Sequence, residues 1–333
     1  MRWTRPFVIF GFLLAGRAEV SAVPFAYVAN ATGNSVTVVD EPTRTVVATP
    51  SANNPFGVAM HPTLSLAYVG EQGDTIGGTV PASIAVFDTS THARVATVSL
   101  PAAPTGIAVN GTGTRLYVAT MGNEVRSYTA AATPVLQKTI PVGPRPYGVA
   151  FLANGLKAYV ARANGVDVID MGSETVVASI PMFGTPLAIV SHPNSSRIYI
   201  SAGTLNGTLI VVDTATNTIP LGGIISVGKF PSGVAITPDG SRIYVASEDA
   251  GTVTEIASAS LTVSATITGF SRPYGLSVNQ LGSILWVVNR CAAAFCSTNS
   301  PSKLSIVDVP TRTVVNGPTV GIEPLSLGRF LKP

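Results

Sequence analysis

Two near-identical tetrapeptides carry the clearest binding chemistry in this chain: Arg145-Pro-Tyr-Gly and Arg272-Pro-Tyr-Gly. Arginine offers a rigid fork of donors and tyrosine an amphipathic face, so Arg145, Tyr147, Arg272 and Tyr274 brought to one place could hold an anionic or planar ligand. The alternative is that Arg-Pro-Tyr-Gly is the wording of a repeat, kept for turn geometry. Glu71, Asp74, Glu124, Glu248, Asp249 and Glu323 could supply oxygens to a divalent cation. No spacing among them singles out a ligand set, so no metal residue is assigned and a divalent cation stays open as a cofactor. His61 and His192, each followed by proline, and His92 sit in turns and suit no catalytic pairing. A Gly-x-Ser-x-Gly elbow, a Walker loop and a dinucleotide fingerprint are all missing, so no catalytic residue is assigned. Cys291 and Cys296 are the two cysteines, close in one segment. In an exported chain they are expected to form a disulfide. A Cys-x-x-Cys-His heme site is absent.

The elements that must position these residues recur seven times. Tyr27, Tyr68, Tyr117, Tyr159, Tyr199, Tyr244 and Trp286 each open a short strand-like run, at spacings of 41, 49, 42, 40, 45 and 42 residues. A period of about 40–50 residues with several strands per repeat marks a β-propeller. A proline-led run precedes the aromatic one, as in Pro55-Phe-Gly-Val-Ala and Pro231-Ser-Gly-Val-Ala, and reads as the innermost strand, A. The aromatic run is strand B. Strand C ends in Asp40, Asp88, Asp170, Asp213 or Asp308 in five repeats, and a Val/Thr/Ile stretch makes strand D. Those five carboxylates read as locks on their own turns.

The ends are out of phase. The chain starts at a strand B with no strand A before it, and finishes on Pro324-Leu-Ser-Leu-Gly-Arg-Phe330, a strand A with nothing after it. The last segment is therefore expected to complete the first blade and close the ring, leaving no open edge. A solenoid or a two-sheet sandwich explains neither the period nor the split repeat. The predicted architecture is all-β: a seven-bladed propeller of four-stranded blades, one domain over residues 23–333.

Residues 1–22 read as a secretory signal peptide: Arg2 and Arg5, an apolar run too short to span a membrane, then Val20-Ser-Ala22. The whole chain carries 20 basic and 17 acidic residues. Three arginines and one glutamate fall in residues 1–22, which leaves 17 and 16, a net of +1. Charge thus gives no support to a nucleic-acid partner. Charged residues make up 11% of the chain, low against the usual ~25%, with Ser, Thr and Asn forming the polar surface. A monomer in a periplasm or outside the cell is expected, with no membrane span in the mature chain.

The wording Pro-x-Gly-Val-Ala, Pro-Asp-Gly-x-x-x-Tyr-Val-Ala, Val-Val-Asp-x-x-Thr resembles the YVTN-type β-propeller repeat over nearly all of residues 23–333. Pro231 to Tyr244 is the nearest copy; Trp286 for Tyr and Ala188 for Gly are departures. The resemblance implies the seven-bladed fold and leaves the activity open, since exported proteins, surface-layer components and sugar-lactone hydrolases share it. On either reading the face carrying the D–A and B–C connections is the irregular one. It holds long segments after Glu71 and Arg290 and both Arg-Pro-Tyr-Gly copies. Function is expected there, because variable loops on a rigid scaffold carry it. The expected function is a binding or interaction module taking a protein or small-molecule ligand on that loop-rich face; the alternative is a metal-dependent lactonase-like hydrolase or lyase in the channel.

Overall fold

Strands rich in Val, Ile, Thr and Tyr, punctuated by Asn, Asp and Gly turns, leave the chain only β structure to form. A computed structural model describes residues 25–74, 79–203, 205–291, 300–326 and 328–331, and these contain strands and turns without a helix. They make seven antiparallel sheets, each a blade. Blade two is typical: strand A is Pro55–Met60, B Leu66–Glu71, C Ser83–Asp88 and D Arg94–Ser99, paired in that order. Every residue of its strand B is buried, because the neighbouring blades cover both faces. Its strand D alternates half-buried and exposed residues, as an outer strand should. The protein is a seven-bladed β-propeller.

The ring closes as the phase of the repeats requires. Blade one has three named strands, Phe25–Asn30, Ser35–Asp40 and Thr45–Ala48. The C-terminal segment adds the fourth by bridges from Leu331 to Ala26 and from Pro324 to Asn30. The Tyr27 N–H donates to the Phe330 carbonyl at 2.9 Å and the Leu325 N–H to the Ala29 carbonyl at 3.0 Å. Phe330 and Leu331 are fully buried in the same core cluster as Tyr27 and Trp286, so the closure is packed as well as hydrogen-bonded.

Two sets of contacts join blade to blade. Near the axis, the third residue of strand A is usually glycine. A Cβ at Gly106, Gly233 or Gly275 would collide with the carbonyl oxygen of Tyr147, Tyr274 or Ser326 in the next blade. Hydroxyls beside these glycines bridge the same gap: Thr105 donates to the Pro146 carbonyl at 2.6 Å and Ser232 to the Pro273 carbonyl at 3.2 Å.

Farther out, the repeated tyrosine reaches the C–D turn of the following blade. The residue four after the turn aspartate has a positive φ at Arg44, His92, Glu174, Asn217 and Arg312. Its side chain is thereby presented to the neighbouring tyrosine. The Tyr27 hydroxyl pairs with His92 Nδ1 at 2.8 Å, Tyr117 donates to Glu174 at 3.1 Å, and Tyr159 to Asn217 at 2.8 Å. Tyr244 bonds Glu255, which Arg312 of the next blade grips at 2.9 Å. Blade three lacks the aspartate, and Tyr68 bonds the Ala131 carbonyl instead. In blade six the presenting position is Leu261, which can accept nothing, and the buried Tyr199 hydroxyl has no hydrogen-bond partner. The nearby Arg197 guanidinium is spent on the Ser258 carbonyl at 2.8 Å.

The five aspartates are turn locks, as expected. Asp40 accepts from the Thr43 N–H and hydroxyl, Asp170 from Ser173, Asp213 from Thr216 and Asp308 from Thr311. Those bonds hold the Asp170 and Asp308 carboxyls below the usual range.

The latch separates two chemically identical substitutions. Tyr159→Phe should cost about 1 kcal/mol, since it removes a satisfied hydrogen bond and orphans Asn217. Tyr199→Phe deletes a hydroxyl that pairs with nothing and should be neutral or stabilising. Urea denaturation of the two variants reads the difference; equal losses would disprove the latch.

Candidate functional site

Strand register fixes which end of the ring each candidate occupies. Pro55 lies opposite Glu71, Pro104 opposite Thr120 and Pro273 opposite Asn289, so strands A begin on the face where strands B end and the B–C connections start. Proline is tolerated there because strand A is an edge strand and its first N–H need not join a ladder. The residue before the proline takes a positive φ at Asn54, Arg145, Phe230, Arg272 and Glu323. That conformation is uncommon for non-glycine residues. Both arginines of the Arg-Pro-Tyr-Gly pair occupy it, so the motif does serve a shared turn.

Arg145 is exposed and donates to the Tyr147 hydroxyl at 3.1 Å. Arg272 forms ion pairs with Glu248 at 2.6 Å and Asp249 at 3.4 Å. Tyr274 is buried under the Arg290 guanidinium, 5.9 Å from the ring centre. Burial pushes its hydroxyl well above the ordinary tyrosine value; Glu248 adds to the rise, Arg290 opposes it, and Tyr147 and Glu323 add further. The two tyrosines therefore share one electrostatic neighbourhood, whereas Arg272 is committed to carboxylates.

Arg290 is the residue that the sequence pattern did not single out. It bonds Glu248 at 3.1 Å and Glu323 at 2.5 Å, tying blade six to the closing segment of blade one. Burial alone would lower its pKa, but Glu323 and Glu248 outweigh that and raise it. Its position at the end of strand B, one residue before Cys291, was a usable signal. Cys291 is buried and disulfide-bonded; Cys296 lies outside the described residues, as do residues 1–22 and part of the segment after Glu71.

The acidic candidates do not converge. Glu71 is buried and held by Arg94, Ser83 and the Asn53 N–H, and Glu124 pairs with Arg126 at 2.7 Å. Among the described residues no group of three or more His, Cys, Asp or Glu side chains is placed to hold a metal ion. His61 is structural: its Nδ1 accepts the Thr63 and Leu64 N–H groups while Nε2 bonds the Gly113 carbonyl.

The channel holds a cavity of about 490 Å³, lined by strand A residues from all seven blades. The lining starts at the third residue of strand A, as at Gly106, Gly148 and Gly233, and runs to the A–B turns at Pro193 and Pro238. It therefore lies toward the face opposite the Arg-Pro-Tyr-Gly motifs. Second residues of strand A are not in it. Tyr274 and Leu325, with Phe56 and Leu187, pack into an apolar cluster at the loop-rich end. None of Arg145, Tyr147, Arg272 and Tyr274 lines the cavity.

On the loop-rich face a different patch stands out. Phe183 is 98% exposed and Leu205 65%, with Phe230 partly exposed beside them. The connections carrying them are neighbours: Gly184 lies against Gly203, and Gly207 against Gly228.

Comparison with known proteins agrees with this class of fold. No family model matches the chain. It is 29% identical, over 84% of its length and 76% of the relative's, to the seven-bladed beta-propeller protein Rv1057 of Mycobacterium tuberculosis. It is 23% identical to antigen Lp49 of Leptospira interrogans, over 49% of this chain and 40% of that protein. Among solved structures, the Kuenenia stuttgartiensis hydrazine synthase matches with a TM-score of 0.64 at 23% identity, over 77% of this chain and 76% of that one. That likeness concerns the fold alone.

Replacing Arg290 by Met should strip Glu323 of its cation and leave Glu248 with Arg272 alone. A loss of about 1–3 kcal/mol at neutral pH is expected. Chemical denaturation at neutral pH checks it; an unchanged midpoint would show that the pair contributes nothing.

Proposed function

We propose that this chain is an exported binding module that meets a protein partner with its loop-rich face. The observation that carries the reading is the Phe183, Leu205 and Phe230 patch. Large apolar side chains left in water next to one another mark an interaction surface more often than chance exposure. The face around it is continuous and polar. Met182 donates its N–H to the Asn164 carbonyl, which joins the patch to the blade-four loops where Arg145 and Tyr147 stand at its edge. An apolar centre with an arginine and tyrosine rim is the usual make-up of a partner surface.

Export is supported by the basic and apolar start of the chain and by a disulfide-bonded Cys291, a pairing typical of oxidising compartments. The repeat wording supports kinship with YVTN-type propellers. No helix of the described residues is long and apolar enough to cross a membrane.

Phe183→Ser combined with Leu205→Ser tests the surface. Immobilised wild-type protein should retain a partner from an exported-protein fraction that the double variant, shown by circular dichroism to be folded, does not. Equal retention by both would remove this face from the reading.

A further inference from the structure

Seven strands A line the channel, and their six-residue runs are PFGVAM, PTGIAV, PYGVAF, PLAIVS, PSGVAI, PYGLSV and PLSLGR. One charge occurs in all of them, Arg329. It is also the one charged residue lining the 490 Å³ cavity. It occupies the place that Met60 holds in blade two, and its own carbonyl accepts the Met60 N–H at 3.3 Å, which fixes the backbone at the channel wall.

The guanidinium differs from those of five arginines that acids tie down. Arg94, Arg126, Arg162, Arg290 and Arg312 all hold carboxylates. Arg329 is exposed to the cavity, and among the described residues its side chain has no hydrogen bond and no ion pair. Walls on most sides withdraw water from it and lower its pKa. Its five donors are used by no protein group, so an anion entering the channel finds them available.

The rest of the lining states what kind of anion. It is mainly Ala, Val, Ile, Leu, Pro and Phe, with Asn110, Ser191, Thr237, Ser277 and Ser326 as the polar side chains. The Ser326 hydroxyl is taken up by the Ala29 N–H and that of Ser191 by the Phe151 carbonyl. Each strand A is also the terminal strand of its sheet, so its free edge presents backbone N–H and C=O groups to the channel. One cation in mostly apolar walls balances one negative charge. A dianion would bring a second charge with nothing to neutralise it. We propose that the channel is a binding site for a small organic monocarboxylate with an apolar body, its carboxylate paired with Arg329. A volume near 490 Å³ suits such a molecule. This site lies toward the opposite face from the proposed partner surface and does not depend on it.

Calorimetric titration and thermal shift test the site with benzoate and hexanoate as probes, benzamide as the neutral control and inorganic phosphate as the dianion. Benzoate or hexanoate should bind the wild-type protein and raise its melting temperature, with no response to benzamide or phosphate. Arg329→Met, which copies Met60, should melt at least as high without ligand and bind the carboxylates at least about tenfold more weakly. Arg329→Lys, which keeps the charge, should retain part of the affinity. The Phe183→Ser, Leu205→Ser protein should bind benzoate as the wild type does. Absence of a carboxylate response in the wild type, equal affinity in Arg329→Met, or equal binding of benzamide would overturn the proposal. If Arg329→Met fails to fold, the wild-type contrast between benzoate and benzamide decides alone.

Discussion

Seven strands must come close enough around one axis for each to touch the next, and this constraint governs the rest of the structure. The clearance admits at most a small side chain at the third position of strand A. Glycine at Gly106, Gly233 and Gly275 lets the carbonyl of the following strand pass where a Cβ would stand. The same closeness lets Thr105 and Ser232 donate across the gap. Where the glycine is absent, the position is still small: Ala188 in blade five and Ser326 in blade one. Ser326 turns its difference to use by accepting the Ala29 N–H at 2.7 Å, which helps to seat the closing strand.

Because the blades splay outward from that axis, their outer parts need a second joint. The tyrosine latch provides it, and it explains the association of an aromatic strand B with an aspartate-locked C–D turn. The aspartate fixes the turn, the turn forces a positive φ four residues on, and that residue offers its side chain to the tyrosine of the preceding blade. His92, Glu174, Asn217 and Arg312 differ in chemistry, yet each meets the same demand for a polar group. Leu261 fails it, and there alone among the tyrosines a buried hydroxyl is left unpaired. The repeat conserves a geometry more strictly than it conserves the residue that exploits it.

That distinction sets what could be read from the sequence. Blade number, strand order and ring closure were legible because every repeat makes the same local choices, and the split first repeat admits one completion. The turn aspartates were legible for the same reason, since each bonds its own neighbours. The cavity was not, because its position depends on which strand A residues leave room at the axis. The second residues Tyr274, Leu325, Phe56 and Leu187 differ in wording but gather at one end. The pairing of Arg272 with Glu248 joins neighbouring blades through side chains that no local pattern relates. Arg290 is similar: its partners lie 42 and 33 residues away. The exposed Phe183 and Leu205 look in sequence like any apolar residue near a strand. Arg329 was in principle visible as the lone charge in seven apolar runs, once the closing segment was aligned with the other strands A.

The loop-rich face and the channel thus carry different physics. At the loop-rich end, charges are numerous and mutually satisfied: Arg290 and Arg272 are held by Glu248, Asp249 and Glu323 above a buried tyrosine. Such a network stiffens the surface and leaves little unspent attraction for a small ion, so the proposed partner contact there rests on apolar area and shape. In the channel, by contrast, charge is scarce: the guanidinium of Arg329 is the one charged group in a mostly apolar lining. Electrostatic attraction is strongest where water is excluded and no competing partner is present. The two proposed recognition modes therefore use separate parts of one ring, and neither requires the other.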